Sequence, residues 1–170
     1  ATSSRRSSIF TVEKTIKHSG NNIMTVYLRN FRDSDAPAVY DLVCSTLEED
    51  YDPTIFTILP KLWPQGCIVA ESVSGIAGFL LGSVVSPGQV QILMLSVDPD
   101  MRHRGIGAEM MIKFLSACNA LNCLEVQLEV RKSNINAIRF YQRFGFKLKE
   151  LRENYYKDGE DAFIMTLEES

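Results

Sequence analysis

Metal and disulfide chemistry have little to work with in this chain. Its only histidines are His18 and His103, and Cys44, Cys67, Cys118 and Cys123 show no C-x-x-C spacing. The zinc ligand sets that recur at short fixed spacings are therefore missing, and no metal is expected. Three of the four thiols lie in apolar segments, which predicts buried free cysteines in a reducing compartment. Long hydrophobic runs are missing as well. The longest, Ile76 to Val85, is broken by glycine and serine and falls far short of the ~20 apolar residues of a membrane helix. No signal-peptide pattern is visible, so a cytoplasmic protein without membrane attachment is expected. Strong charge of either sign is lacking too. A net charge of -3 and a pI near 5.4 argue against a general nucleic-acid binder, and no direct nucleic-acid partner is expected. There is no internal repeat and no low-complexity tract.

What is present suits one α/β domain. At 170 residues with 45% hydrophobic content the chain can bury one good core, with little left for a second. Residues 1–23, rich in Ser, Thr, Lys and Arg around Ile9-Phe10-Thr11-Val12, read as a leader. The expectation is that it packs as a strand on its own sheet or on a neighbouring molecule, which would make a homodimer through the leader. Residues 24–170 read as the domain. Thr25 to Phe31 alternates as a strand, and Asp33 or Ser34 is expected to cap a helix running to Leu47 with Pro37 in its first turn. Glu48-Glu49-Asp50-Tyr51 makes an acidic, aromatic bend before a short helix, Pro53 to Leu62. Cys67 to Ser72 and Ile76 to Val85 read as antiparallel strands turning at Ser74-Gly75, and Val90 to Val97 as the next strand.

The stretch Val97-Asp98-Pro99-Asp100-Met101-Arg102-His103-Arg104-Gly105-Ile106-Gly107-Ala108-Glu109-Met110 is a strand end, a basic turn, a glycine turn and a helix start. First-turn N–H groups of a helix lack partners within it and carry the positive end of its dipole, so an anion is favoured there. Glycines allow close backbone approach, and Arg102 and Arg104 can add charge-assisted contacts. The stretch reads as a pyrophosphate cradle. A Walker loop is excluded by the missing lysine, and Met110 stands where a dinucleotide fingerprint needs its third glycine. An ordinary surface turn with two solvated arginines remains the competing reading.

After the cradle come a helix with Met110, Met111, Phe114, Leu115, Cys118 and Leu121 at core spacing, then a strand, Leu124 to Val130. The helical connection makes that strand parallel to the Val90 strand. Ser133-Asn134 caps a helix, Ile135 to Phe144, closed by Gly145. Phe146 to Leu151 and Ala162 to Leu167 form the closing pair.

Arg102-x-x-Gly105-x-Gly107 resembles the acetyl-CoA pyrophosphate motif R/Q-x-x-G-x-G/A of the GNAT acetyltransferases. Leu128-Glu129-Val130-Arg131-Lys132-Ser133-Asn134, the F-Y-x-x-F-G-F run from Phe140 to Phe146, and Asn154 to Ala162 resemble the corresponding segments of GNAT protein N-terminal acetyltransferases. The likeness is to the RimI-like ribosomal-protein enzymes and to the NatA catalytic subunits. Leu47 to Tyr51 sits where the NatA-type pattern L-P-E-N-Y is found, with Glu48 in place of proline, which leaves open whether Glu48 or Glu49 matches its glutamate. The resemblance implies a mixed central sheet flanked by helices and splayed between the fourth and fifth strands. It also implies acetyl-CoA or CoA as cosubstrate, and peptide or protein N-termini, ribosomal proteins among them, as acceptors.

Carried over residue by residue, the resemblance assigns Arg102, His103, Arg104, Gly105, Ile106, Gly107 and Ala108 to the pyrophosphate. It assigns Leu95, Ser96, Val97, Asn134 and Tyr141 to the rest of CoA. Tyr141 takes the general-acid position, Glu129 the catalytic glutamate of the ribosomal-protein enzymes, and Glu49 the glutamate near the amine. Glu49, Tyr51, Tyr155 and Tyr156 would line the peptide entrance. Reference pKa values of about 10 for Tyr141 and 8.5 for a thiol make the proton transfer to a thiolate uphill by only about 2 kcal/mol.

Each residue also has a plain reading. Glu129 can be the polar face of a strand, Tyr141 core, Glu48-Glu49-Asp50 a solvated helix end, the tyrosine pair packing, and His103 an exposed turn residue. Two other functions stay open: a small-amine acetyltransferase, and an acyl-CoA-binding subunit without turnover.

Overall fold

The computed structural model describes residues 12–17, 23–47 and 49–168, with only the backbone described for 12–17 and for Ile23. The sheet is built from β1 (Val12–Lys17), β2 (Ile23–Asn30), β3 (Cys67–Ser72), β4 (Gly75–Ser86), β5 (Gln89–Val97), β6 (Glu125–Arg131), β7 (Lys147–Arg152) and β8 (Ala162–Glu168), in the spatial order β1-β2-β3-β4-β5-β6-β8-β7. All neighbours are antiparallel except β5 and β6. Those two are joined by the helix α3 (Ile106–Ala120), whose length carries the chain back to start a parallel strand. The helices α1 (Ala36–Thr46), α2 (Ile55–Leu62) and α4 (Ile135–Arg143) complete the fold.

Strand alternation sorts the core onto two faces. Val69, Phe79, Leu81 and Met94 pack with Val39, Val43 and Phe56 of α1 and α2. Ile68, Leu80, Ile92, Val126 and Leu128 pack with Met110, Met111 and Phe114 of α3 and Tyr141 of α4. Burial on both faces accounts for the nearly continuous apolar reading of β3 and the middle of β4.

Part of the leader region does form a strand: β1 pairs with β2 from Val12↔Leu28 to Lys17↔Ile23. Ile9 and Phe10 lie outside the described residues. The expected cap of the first helix differs. Asp33–Asp35 is a 3-10 turn and the helix starts at Ala36. Arg29 draws Asp35 away from capping, donating Nη1 and Nη2 to Oδ2 and Oδ1 at 2.7 and 2.8 Å, while Arg32 donates its backbone N–H to Oδ2. Burial pushes the Asp35 carboxyl up, but these donors outweigh it and hold it below its ordinary value. At the other end, α4 is capped as its sequence predicts: Asn134 Oδ1 accepts from Ala137 N at 3.2 Å, and Gly145 follows the helix with φ 92°.

Two features of β5 prepare the site. Its pairing with β6 runs only from Gln89↔Glu125 to Ile92↔Leu128. Its register with β4 jumps from Gly82↔Ile92 to Leu81↔Met94, leaving Leu93 as an extra residue. A β-bulge bends the strand and strengthens its twist, and the bulge falls where β5 and β6 part. It also reverses the alternation. Val90 and Ile92 face the α3 side, yet beyond the bulge that side is taken by Leu95 and Val97, and Met94 turns to α1.

Candidate active site

Where β5 and β6 part, a cleft of about 950 Å³ opens. Its walls are Ile92–Leu95 of β5, Leu128–Arg131 of β6, the bend between α1 and α2, the start of α4, and the tyrosine turn between β7 and β8. It gathers Glu49, Tyr51, Leu95, Glu129, Asn134, Tyr141, Tyr155 and Tyr156 from five separate parts of the chain. Ser96, Val97 and the 102–108 cradle lie outside its lining. Ser96 points its side chain to α1, where its hydroxyl accepts from Thr46 Oγ1 at 3.0 Å, so only its backbone is left to face the gap.

The cradle is shaped by backbone more than by side chains. Gly105 caps α3 with φ 81°, and a Cβ there would meet nothing within 4 Å, so the glycine serves its left-handed conformation rather than a crowded contact. His103 is exposed and also has a positive φ, 61°, a conformation that costs a non-glycine residue about 1–3 kcal/mol. Its ring is secondary to its backbone. The N–H groups of His103, Arg104, Gly105, Ile106, Gly107 and Ala108 take no backbone acceptor among the described residues, the ladder starting with Glu109 N donating to Gly105 O. Such a row of donors at a helix start fits a diphosphate. Arg102 leans back, donating Nε to the Val97 carbonyl at 3.1 Å. Arg104 turns away, its Nη1 lying 3.4 Å from Met24 Sδ and 3.7 Å from Met101 Sδ.

Tyr141 and Glu129 meet the cleft from opposite faces of β6. Tyr141 belongs to the core that includes Leu128 and Val130, whereas Glu129 alternates with those two residues. Burial alone pushes the Tyr141 phenol well above its ordinary value. It is therefore neutral at any physiological pH, and full proton loss is costlier than reference values imply; its ready role is to donate a hydrogen bond to a nearby anion. Glu129 lies 3.9 Å from Arg152 Nη1, with 23% of its side chain exposed. Burial first, and then the charge of Glu129 and a hydrogen bond to it, raise the Tyr155 phenol.

Glu49 is engaged elsewhere. Arg131 Nη2 donates to Glu49 Oε1, Arg131 Nη1 donates to Asp158 Oδ2 at 2.8 Å and Glu160 Oε2 at 2.9 Å, and its guanidinium stacks 4.0 Å over the Tyr156 ring. Burial pushes the Tyr51 phenol, beside Glu49, up to about 12. Arg131 is absent from the residues that sequence reasoning selects. It stands within the Leu128–Asn134 run that carries the resemblance, but nothing local gives it a role, and its partners lie 27, 29 and 82 positions away. Glu48, the rival to Glu49, lies outside the described residues.

Comparison with known proteins agrees with this geometry. Residues 36–146 match the acetyltransferase (GNAT) family. An uncharacterized N-acetyltransferase of Methanocaldococcus jannaschii is 34% identical over 140 residues, covering 81% of this chain and 88% of that protein. An N-alpha-acetyltransferase of Sulfurisphaera tokodaii is 30% identical over 152 residues, covering 81% and 90%. The crystal structure of Ard1 from Thermoplasma volcanium superposes with a TM-score of 0.80 at 35% identity, covering 84% of this chain and 97% of that one. With a parted parallel strand pair, a glycine-capped helix start and this extent of similarity, the chain belongs to the GNAT acetyltransferase family.

Proposed function

We propose that this protein is an N-terminal α-acetyltransferase that moves acetyl from acetyl-CoA to the α-amine of a peptide or protein by direct attack. One observation carries the reading: the parting of β5 and β6 presents a carboxylate, Glu129, and a neutral buried phenol, Tyr141, to one cleft. The relatives named N-alpha-acetyltransferase support an α-amine as acceptor.

Acetyl-CoA supplies the activated acetyl thioester. Gly105 to Ala108 and Arg102 would hold its diphosphate, and the β5 backbone from Leu95 to Val97, bulged away from β6, its amide-bearing arm, as a peptide adds to a free strand edge. Glu129 takes the proton of the incoming amine, directly or through one water. An α-amine with pKa of about 7.7–8.0 costs only about 1 kcal/mol to deprotonate at pH 7, whereas a lysine near 10.4 costs roughly 4.6. A carboxylate is a weak base, so it suits the first far better. Tyr141 donates to the sulfur as it leaves. Tyr51, Tyr155 and Tyr156 line the peptide entrance. The reduced thiols of Cys44 and Cys67 suit a reducing compartment and support a cytoplasmic location; among the described residues no helix is long and apolar enough to cross a membrane.

Acetyl-CoA with a panel of Ser-, Ala-, Thr- and Met-starting peptides tests the reading. Mass gain on the α-amine is the expected result. Gain on lysine side chains only, faster turnover of polyamines, or CoA binding without transfer to any amine would overturn it.

A further inference from the structure

Arg131 joins parts of the cleft that lie far apart in the sequence. Glu49 belongs to the bend after α1, on the β1–β5 side of the parted strands, and Arg131 ends β6 on the other side. Asp158 and Glu160 belong to the turn that carries Tyr155 and Tyr156. One guanidinium, with 16% of its side chain exposed, thus reaches three carboxylates from both lips and stacks on a tyrosine of one of them. The turn is fastened a second time: Ser133 donates its backbone N–H to Glu160 Oε1 at 2.9 Å, and Glu160 O accepts from the N–H groups of Tyr155 and Tyr156 at 3.1 Å.

We propose that Arg131 is a positioning residue: it straps the two lips of the cleft together, holds the tyrosine turn over the peptide entrance and leaves the mouth net negative. This rests on the peptide reading above. A planar fork suits the task because its donors diverge toward separate carboxylates while its face stays free for the ring, whereas a lysine offers one compact point charge. One guanidinium against three carboxylates leaves two charges uncompensated, which favours an incoming α-ammonium. The Ser133 and Arg131 donors hold the Glu160 carboxyl down at about 2, so the strap stays charged throughout the working pH range. Glu49, with Oε1 committed to Arg131, is a strut of the entrance, and Glu129 is left as the carboxylate for proton removal.

The wild-type chain is compared with Arg131→Gln, Arg131→Lys and the double variant Asp158→Asn/Glu160→Gln. KM is measured separately for peptide and for acetyl-CoA, and hydrogen exchange is followed along the chain. In Arg131→Gln the peptide KM is expected to rise at least tenfold while the acetyl-CoA KM stays within twofold, because the cradle lies outside this network. The Tyr155 and Tyr156 amides are expected to exchange at least tenfold faster, with α3 unchanged. Arg131→Lys should recover less than half of the loss. The double variant, altered only in the turn between β7 and β8, should repeat the pattern at several-fold size, and it carries the comparison if Arg131→Gln does not fold. An unchanged peptide KM, or an equal rise in both KM values with faster exchange throughout the chain, overturns the proposal. If the wild type acetylates no peptide, the functional reading fails; unchanged exchange in the turn would then overturn the strap by itself.

Discussion

Glu129 and Glu49 are separated by what else their carboxylates do. Glu129 is loosely held, with Arg152 at 3.9 Å and a tyrosine hydroxyl beside it, whereas Glu49 is committed to an ion pair. Glu129→Gln should therefore lower kcat by about 10²–10⁴, the span of a general base, while Glu49→Gln should act mainly on the peptide KM. Steady-state kinetics on one peptide checks both, and a larger kcat loss in Glu49→Gln would reverse the assignment. Tyr141→Phe removes only a hydroxyl on which burial is the sole influence, with no hydrogen-bond partner among the described residues, so kcat should fall at least tenfold with the melting temperature nearly unchanged.

Glu160 yields a pH prediction. Its carboxyl stands at about 2 against an ordinary 4.5, so between those values the folded chain binds fewer protons than the unfolded one. The stability it contributes is full above pH 4.5 and is lost as pH falls through 2. Glu160→Gln should flatten the acid limb of melting temperature against pH in that window. A limb as steep as the wild type's would show that other carboxylates set it.

At the scale of elements, the bulge at Leu93 and the glycine opposite belong together. A Cβ on Gly82 would lie 2.2 and 2.6 Å from Cε2 and Cζ of the fully buried Phe114. Gly82→Ala should cost about 1–3 kcal/mol through overpacking, lowering the melting temperature by about 2–4 °C per kcal/mol for a chain of this size. A neutral effect would mean that α3 gives way more easily than its packing suggests.

Strand alternation, the parallel placement of β5 and β6, the cap at Asn134 and the glycine turn at Gly105 could all be read along the chain, because each rests on local spacing or local backbone chemistry. The bulge could not. Burial along β5 alternates without interruption across Leu93, so periodicity gives no hint that two neighbours share a face. Arg131 was hidden for the opposite reason: its importance comes from partners brought together only by folding. The start of α1 was displaced by a tertiary fork, Arg29 on Asp35, that outranked a local cap. The catalytic candidates came from family resemblance, since a strand glutamate and a helix tyrosine are by themselves ordinary.

For the whole molecule, a ligand that touches both sides of the parted strands should stabilise the fold. Acetyl-CoA at about 100 times its Kd adds roughly 2.7 kcal/mol, or about 5–10 °C in melting temperature at this chain length. Differential scanning fluorimetry with and without the ligand measures it, and no shift would count against a cradle at Gly105.

The four-residue pairing of β5 with β6 also bears on mechanics. It leaves the two parts of the sheet joined by only four backbone-paired positions, beside ladders of seven or more on either side, so force applied across that border should part its strand hydrogen bonds before those of the neighbouring ladders. A nucleotide thioester lodged in the notch would act as stitching, and single-molecule pulling should find the first yield at higher load when it is bound.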